Sequence, residues 1–177
     1  EALNRLVAEG FLVFRKGQGF SCRPLDPQSI LDLYETRMAV ESEGVKLAAR
    51  RASDDDFHAL RAYIKESESA YCSSSPVDVL VDLDEEFHMR VAGLSGNPEL
   101  IRILTNINAR LRYVRCIDMV GRETKSSSDH RAIVEALKSR DEERAVSVMR
   151  KHITKRSEET TNAVRTAYSQ LYVPPGM

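Results

Sequence analysis

Leu3-Asn4-Arg5-Leu6-Val7-Ala8-Glu9-Gly10-Phe11-Leu12-Val13-Phe14-Arg15-Lys16-Gly17-Gln18-Gly19-Phe20-Ser21-Cys22 changes its period in mid-course. Leu3, Leu6 and Val7 recur at helical spacing, and Gly10 is a natural stop for a helix over residues 1–9. Phe11 to Arg15 is a short strand-like run. Lys16-Gly17-Gln18-Gly19 is a turn, because glycine supplies positive φ without steric cost. Phe20 to Cys22 then pairs back as a second strand. A helix followed by a tight hairpin with a basic tip is the rear half of a winged helix-turn-helix. Arg15, Lys16 and Gln18 stand at that tip, where a wing touches phosphate or the minor groove. The plainer alternative is a solvated turn. No front half of such a domain precedes Glu1, so the chain reads as part of a longer protein.

Beyond the hairpin only helical patterns follow. Residues 24–26 read as a linker, in which Asp26 can cap a helix that has Pro27 at its first position. Helices are expected at about 27–51, 54–71, 77–93, 98–118, 129–139 and 142–168. Ser73-Ser74-Ser75-Pro76, Ser95-Gly96-Asn97-Pro98, the stretch from Gly121 through Ser126-Ser127-Ser128, and Arg140-Asp141 separate them. Short connections favour antiparallel neighbours. The expected fold is therefore all-α, with a six-helix antiparallel bundle over residues 27–170 behind a partial winged helix over 1–23. Residues 171–177, with Pro174-Pro175-Gly176, read as a loose tail.

The bulk numbers exclude several classes. Apolar residues make up 42% and charged residues 30% of the 177, so the chain can bury a core. No apolar run approaches the ~18 residues of a membrane helix. The N-terminus lacks the basic-then-apolar layout of a signal peptide, which points to the cytoplasm. Cys22, Cys72 and Cys116 are odd in number and widely spaced, so they read as free thiols. The net charge of −1 is uneven: Arg5, Arg15, Lys16 and Arg23 outnumber Glu1 and Glu9 over residues 1–23, on an otherwise mildly acidic chain.

Three of the four histidines stand at informative places. Asp84 and His88 are four apart within Asp84-Glu85-Glu86-Phe87-His88 and so project from one helical face. His130 opens the next-to-last helix and His152 lies inside the last. Imidazoles with a carboxylate suit zinc, nickel, iron or manganese. Three histidines and one aspartate leave positions open on an ion that prefers six ligands. A carboxylate or hydroxy acid can fill those positions, or a water can be activated there for hydrolysis. Each histidine alone is more simply a hydrogen-bonded packing residue, and only the set carries the metal reading. His58 follows three aspartates and reads as surface.

Arg37 falls between Tyr34 and Glu41 on the inner face of its helix, and a buried arginine needs an anionic partner. That partner is either a bound carboxylate or an internal glutamate, Glu41 or Glu86. Asn108 and Arg112 share a face of the 98–118 helix. They line a pocket or else face solvent or a dimer partner.

Taken in order, these stretches resemble a known family. Residues 1–12 with Arg15-Lys16-Gly17-Gln18-Gly19-Phe20 look like the recognition-helix end and wing of GntR-family regulators. Leu33-Tyr34-Glu35-Thr36-Arg37-Met38-Ala39-Val40-Glu41 resembles the first helix of the FCD effector domain of the FadR branch. Asp84-Glu85-Glu86-Phe87-His88, Gly96-Asn97-Pro98-Glu99-Leu100, Asp129-His130-Arg131-Ala132-Ile133-Val134-Glu135-Ala136-Leu137 and Arg150-Lys151-His152-Ile153 resemble its later signatures. The resemblance implies a homodimeric transcription regulator, not an enzyme. It also implies a divalent metal, zinc foremost, held by Asp84, His88, His130 and His152. A small carboxylate effector would meet the metal and Arg37, with Asn108 and Arg112 beside it. Operator DNA would be met by Arg5, Arg15, Lys16 and Gln18. Six effector helices rather than seven place the chain with the VanR-like subgroup. Two other readings share the ligand set: a metal-dependent hydrolase or lyase, with Glu85 or Glu86 as base, and a purely structural metal site.

Overall fold

The computed structural model describes residues 1–24, 26–72, 75–119 and 126–171. Helix α1 (Ala2–Ala8) leads into the strands β1 (Leu12–Arg15) and β2 (Gly19–Cys22), followed by α2 (Pro27–Arg51), α3 (Asp54–Cys72), α4 (Val77–Gly93), α5 (Pro98–Met119), α6 (Ser126–Lys138) and α7 (Glu142–Leu171). Among the described residues the expected order of elements is present, with six helices after the hairpin. Two boundaries differ. Helix α6 starts at Ser126 rather than near Asp129. Helix α7 reaches Leu171, past the expected end near 168. The Gly121 break and the tail from 172 onward lie outside the described residues, as do Ser73 and Ser74.

Local chemistry explains the junctions. Gly10 has φ +86°, its N–H bonds Val7 O, and Phe11 N–H bonds Leu6 O. That pair of bonds is the Schellman ending of a helix and needs a residue that tolerates positive φ. β1 and β2 are antiparallel, with Phe14 opposite Phe20 and their ring centroids 5.0 Å apart. Asp26 accepts from Ser29 N–H at 3.0 Å and caps α2, with Pro27 in the first turn.

Helix α2 is the central strut of the bundle. It lies against α7, α5, α4 and α6, and α3 packs on α4 and α6. Its long inner face buries Ile30, Leu33, Tyr34, Val40, Val45, Ala48 and Ala49. Phe57, Phe87, Leu104, Leu111, Ile133, Leu137, Met149 and Ile153 complete one continuous core. A smaller cluster of Tyr71, Leu80, Val81 and Met119 fills the end where α3, α4 and α5 meet. Among the described residues no helix is long and apolar enough to cross a membrane.

Candidate metal centre

Three helices supply the four donors of the centre. On α4 the four-residue spacing turns Asp84 and His88 inward beside Leu80, Phe87 and Val91. His130 comes from α6 and is stacked on the Phe87 ring, with centroids 3.9 Å apart and planes 14° from parallel. His152 comes from α7. All four side chains are buried, and a ligand atom of each lies within 4.8 Å of the others. His88 Nε2 is 3.2 Å from His152 Nε2, and His130 Nε2 is 3.2 Å from Asp84 Oδ1. His88 Nε2 is 3.8 Å from Asp84 Oδ2. Donors at about 2.1 Å from one ion, set between right-angled and tetrahedral, stand about 3.0–3.4 Å from each other. The closest separations fall in that range.

The unsatisfied atoms fit a cation better than they fit packing alone. His130 Nε2 is buried and makes no hydrogen bond, despite its closeness to Asp84. A buried imidazole nitrogen without a partner is costly, and a cation would satisfy it. Three imidazoles and one carboxylate suit zinc, nickel, iron or manganese.

Outer contacts hold the donors in place. Glu41 of α2 accepts from His88 Nδ1, which leaves the His88 Nε2 lone pair facing inward. The other oxygen of Glu41 takes Arg37 Nε. Asp84 Oδ2 is taken by Arg115 of α5, whose Nη1 reaches Glu85 Oε1 at 3.1 Å. His152 Nδ1 lies 3.7 Å from Asp129 Oδ2, and Lys155 donates to the same oxygen at 2.7 Å.

These surroundings set the protonation states. Burial lowers His130 and takes His152 down to about 3, against the pull of nearby carboxylates. Burial works against ionising Asp84, but the Arg115 guanidinium and the imidazoles hold its carboxyl well below the usual range. Glu41 meets the same burial penalty, and Arg37 with His88 brings it down to about 2. At neutral pH the set therefore offers an ionised carboxylate and at least two neutral imidazoles, the states that bind metal.

The other anticipated residues divide. Arg37 is buried and takes the internal option through Nε to Glu41, while its Nη2 has no partner; Glu86 instead pairs with Arg90 at the surface. Asn108 is buried and its Oδ1 has no partner. Arg112 is 40% exposed and pairs with Asp82 at the outer edge. Arg5, Arg15, Lys16 and Gln18 are exposed on α1 and the hairpin, and Arg5 pairs with Glu9 at 2.8 Å. His58 is exposed. The winged segment meets the bundle at α5, where Asn106 Nδ2 donates to Glu9 O at 3.0 Å. The sequence reading missed Arg115 and the link from Glu41 to His88. Arg115 carries a signal in retrospect, since it falls on the apolar face of α5 with Leu104, Ile107, Leu111 and Val114.

The family model of the FCD domain matches residues 32–155, from α2 into α7. The chain belongs to the FCD regulators of the GntR family. It is 37% identical over 173 residues to the Nta operon transcriptional regulator of Aminobacter aminovorans, covering 97% of this chain and 80% of that one. It is 26% identical over 162 residues to the HTH-type transcriptional repressor GlaR of Escherichia coli, covering 86% and 74%. A GntR-family regulator from Pseudomonas syringae pv. tomato superposes with a TM-score of 0.71 at 22% identity, over 96% of this chain and 70% of that one. E. coli McbR/YncC superposes at 0.73 with 17% identity, over 96% and 82%. These FCD relatives are named as regulators, and the hydrolase or lyase reading has no support among them.

Proposed function

We propose that the bundle is the sensor of a one-component transcription regulator. Residues 27–170 form the sensing domain and residues 1–23 the DNA-contacting part, joined by 24–26. In this reading Asp84, His88, His130 and His152 hold one divalent transition metal. Zinc suits the donor set best, with nickel, iron and manganese as alternatives. The observation that carries the proposal is the convergence of four buried donors from three helices, with His130 Nε2 left without a hydrogen bond. When bound, the ion supplies Lewis acidity to a small carboxylate. Every other part of effector capture falls to the chain's own side chains. Arg37 Nη2, Asn108 Oδ1 and Thr161 Oγ1 are buried on α2, α5 and α7 without protein partners. They can hold the carboxylate and one further polar group of an organic acid. Arg112, at the outer edge, would serve the mouth of that site.

DNA contact is assigned to Arg5, Arg15, Lys16 and Gln18, which support phosphate and groove contacts in a homodimer on a two-fold operator. The regulator names of the relatives support this half of the reading. Effector binding controls DNA binding only if the effector prefers one arrangement of the dimer, by a free energy equal to the coupling. A purely structural metal is the second reading, since Glu41 and Arg115 already fix His88 and Asp84 from outside.

Elemental analysis of the purified protein beside His130→Ala is the test. About one equivalent of transition metal in the parent and its loss in the variant are expected. No metal in either, after soaking with zinc or nickel, sinks the proposal. In the metal-loaded protein, a panel of organic acids that leaves the melting temperature unmoved favours the structural site, because any ligand of the native state raises it.

A further inference from the structure

We propose that Arg115 is a positioning residue of the metal centre, which holds Asp84 by its Oδ2 and so sets the Oδ1 against His130. The inference rests on the metal reading above and concerns a residue outside the ligand set. Arg115 is 5% exposed and sits on α5, the helix packed along α4. Its guanidinium spans two successive carboxylates of α4, with Nη2 on Asp84 Oδ2 and Nη1 on Glu85 Oε1 at 3.1 Å. A planar fork fixes the rotation of a carboxylate in a way that a point charge does not. Glu85 anchors the second arm and is itself 3.4 Å from Arg112. With Oδ2 held by Arg115, Oδ1 is the Asp84 oxygen that stands 3.2 Å from His130 Nε2. Four protein atoms then complete the donor set, and an ion preferring six ligands keeps positions free for a carboxylate.

Simple charge logic predicts the opposite consequence of removing this residue. A guanidinium beside a metal ligand repels the incoming cation, so its loss should tighten metal binding on Coulomb grounds. If Arg115 positions Asp84, its loss loosens the donor and weakens binding. Mutations of groups that orient metal ligands typically cost about 10–100-fold in affinity.

The decisive experiment measures zinc dissociation constants by competition with a chromophoric chelator, for the full chain, Arg115→Met and Arg115→Lys. Folding of each is checked by far-ultraviolet circular dichroism. Arg115→Met should bind zinc about tenfold or more weakly. Arg115→Lys keeps the charge without the fork; it should bind more weakly than the parent and shift the visible spectrum of the cobalt-loaded protein. If Arg115→Met does not fold, Arg115→Lys decides, since an ion pair that only joins two helices would leave its cobalt spectrum unmoved. Unchanged or tighter zinc binding in the folded variants, with an unchanged cobalt spectrum, overturns the inference and leaves the metal reading intact. A parent chain that takes up no zinc overturns both.

Discussion

The winged segment and the bundle interior break the usual distribution of polarity in opposite directions. In residues 1–22, α1 buries none of its side chains, and Leu3 is 47% and Phe14 55% exposed. In the bundle, Arg37, Glu41, Asp84, His88, Arg115, His130 and His152 are all buried. The first region has apolar surface facing outward. The second has charge facing inward, tied into pairs that link α2, α4 and α5. The difference concerns what each region tolerates. An exposed apolar side chain can be trimmed with little effect on this chain's stability, usually within about 0.5 kcal/mol. A buried charge cannot lose its partner so cheaply, because the survivor is left desolvated and alone.

Glu41→Ala exposes that contrast most sharply. It removes the partner of both Arg37 and His88. The remaining buried guanidinium should make the loss about 3–5 kcal/mol in urea unfolding of the metal-free protein. Leu3→Ala, measured in parallel, should lie near zero. Equal costs for the two would mean that the interior pairs contribute no more than surface contacts. Glu41→Gln keeps the shape and should weaken metal binding as well, since it alters the group that orients His88.

Acid should act on the same interior next. Unfolded histidine titrates near 6.5, while burial holds His130 lower and His152 at about 3 in the folded chain. Below about pH 6.5 the unfolded state therefore binds protons that the native state refuses, so stability falls as pH falls. The contribution is complete above about 6.5 and declines toward about 3, where His152 itself takes a proton. Glu41, at about 2, and Asp84 act in the same sense at lower pH, with stability lost as they are neutralised. Urea midpoints of metal-free protein should drop between about pH 6.5 and pH 5, and His152→Gln should flatten the slope. A parent midpoint independent of pH across that window would contradict burial of neutral imidazoles.

Much of this was readable from the sequence because helical period and capping chemistry are local. The Asp84 and His88 pair, the Asp26 and Pro27 start of α2, and the Gly10 stop each need only a few adjacent residues. What escaped depends on which helices become neighbours. Asn108, Arg112 and Arg115 lie on overlapping faces of α5, and spacing alone does not choose which arginine turns inward. Packing against α4 chooses Arg115 and leaves Arg112 at the edge with Asp82. Glu41 was visible as a partner for Arg37, four residues away on the same helix. Its second partner, His88, is 47 residues distant and follows only from the approach of α2 to α4.

The smallest expected effect belongs to the winged segment. Gly10 closes α1 at φ +86°, and a Cβ there would stand 3.0 Å from Arg110 Cζ. The far end of an arginine can move aside, so sterics add little, and the backbone conformation dominates. Placing an L-residue in the left-handed region costs roughly 1–2 kcal/mol. Gly10→Ala should therefore destabilise the ending of α1 by about that amount, less than the Glu41 effect. The loss should also be confined to its own region. Amide exchange of α1 and of Phe11 should quicken, because Phe11 N–H closes the turn on Leu6 O. Exchange in α4 and α7 should stay as it was. If Gly10→Ala loosened α5 as well, the contact from Asn106 to Glu9 O would be part of the bundle's own stability. The two regions would then behave as one cooperative unit, and their contrast in polarity would mark no boundary in stability.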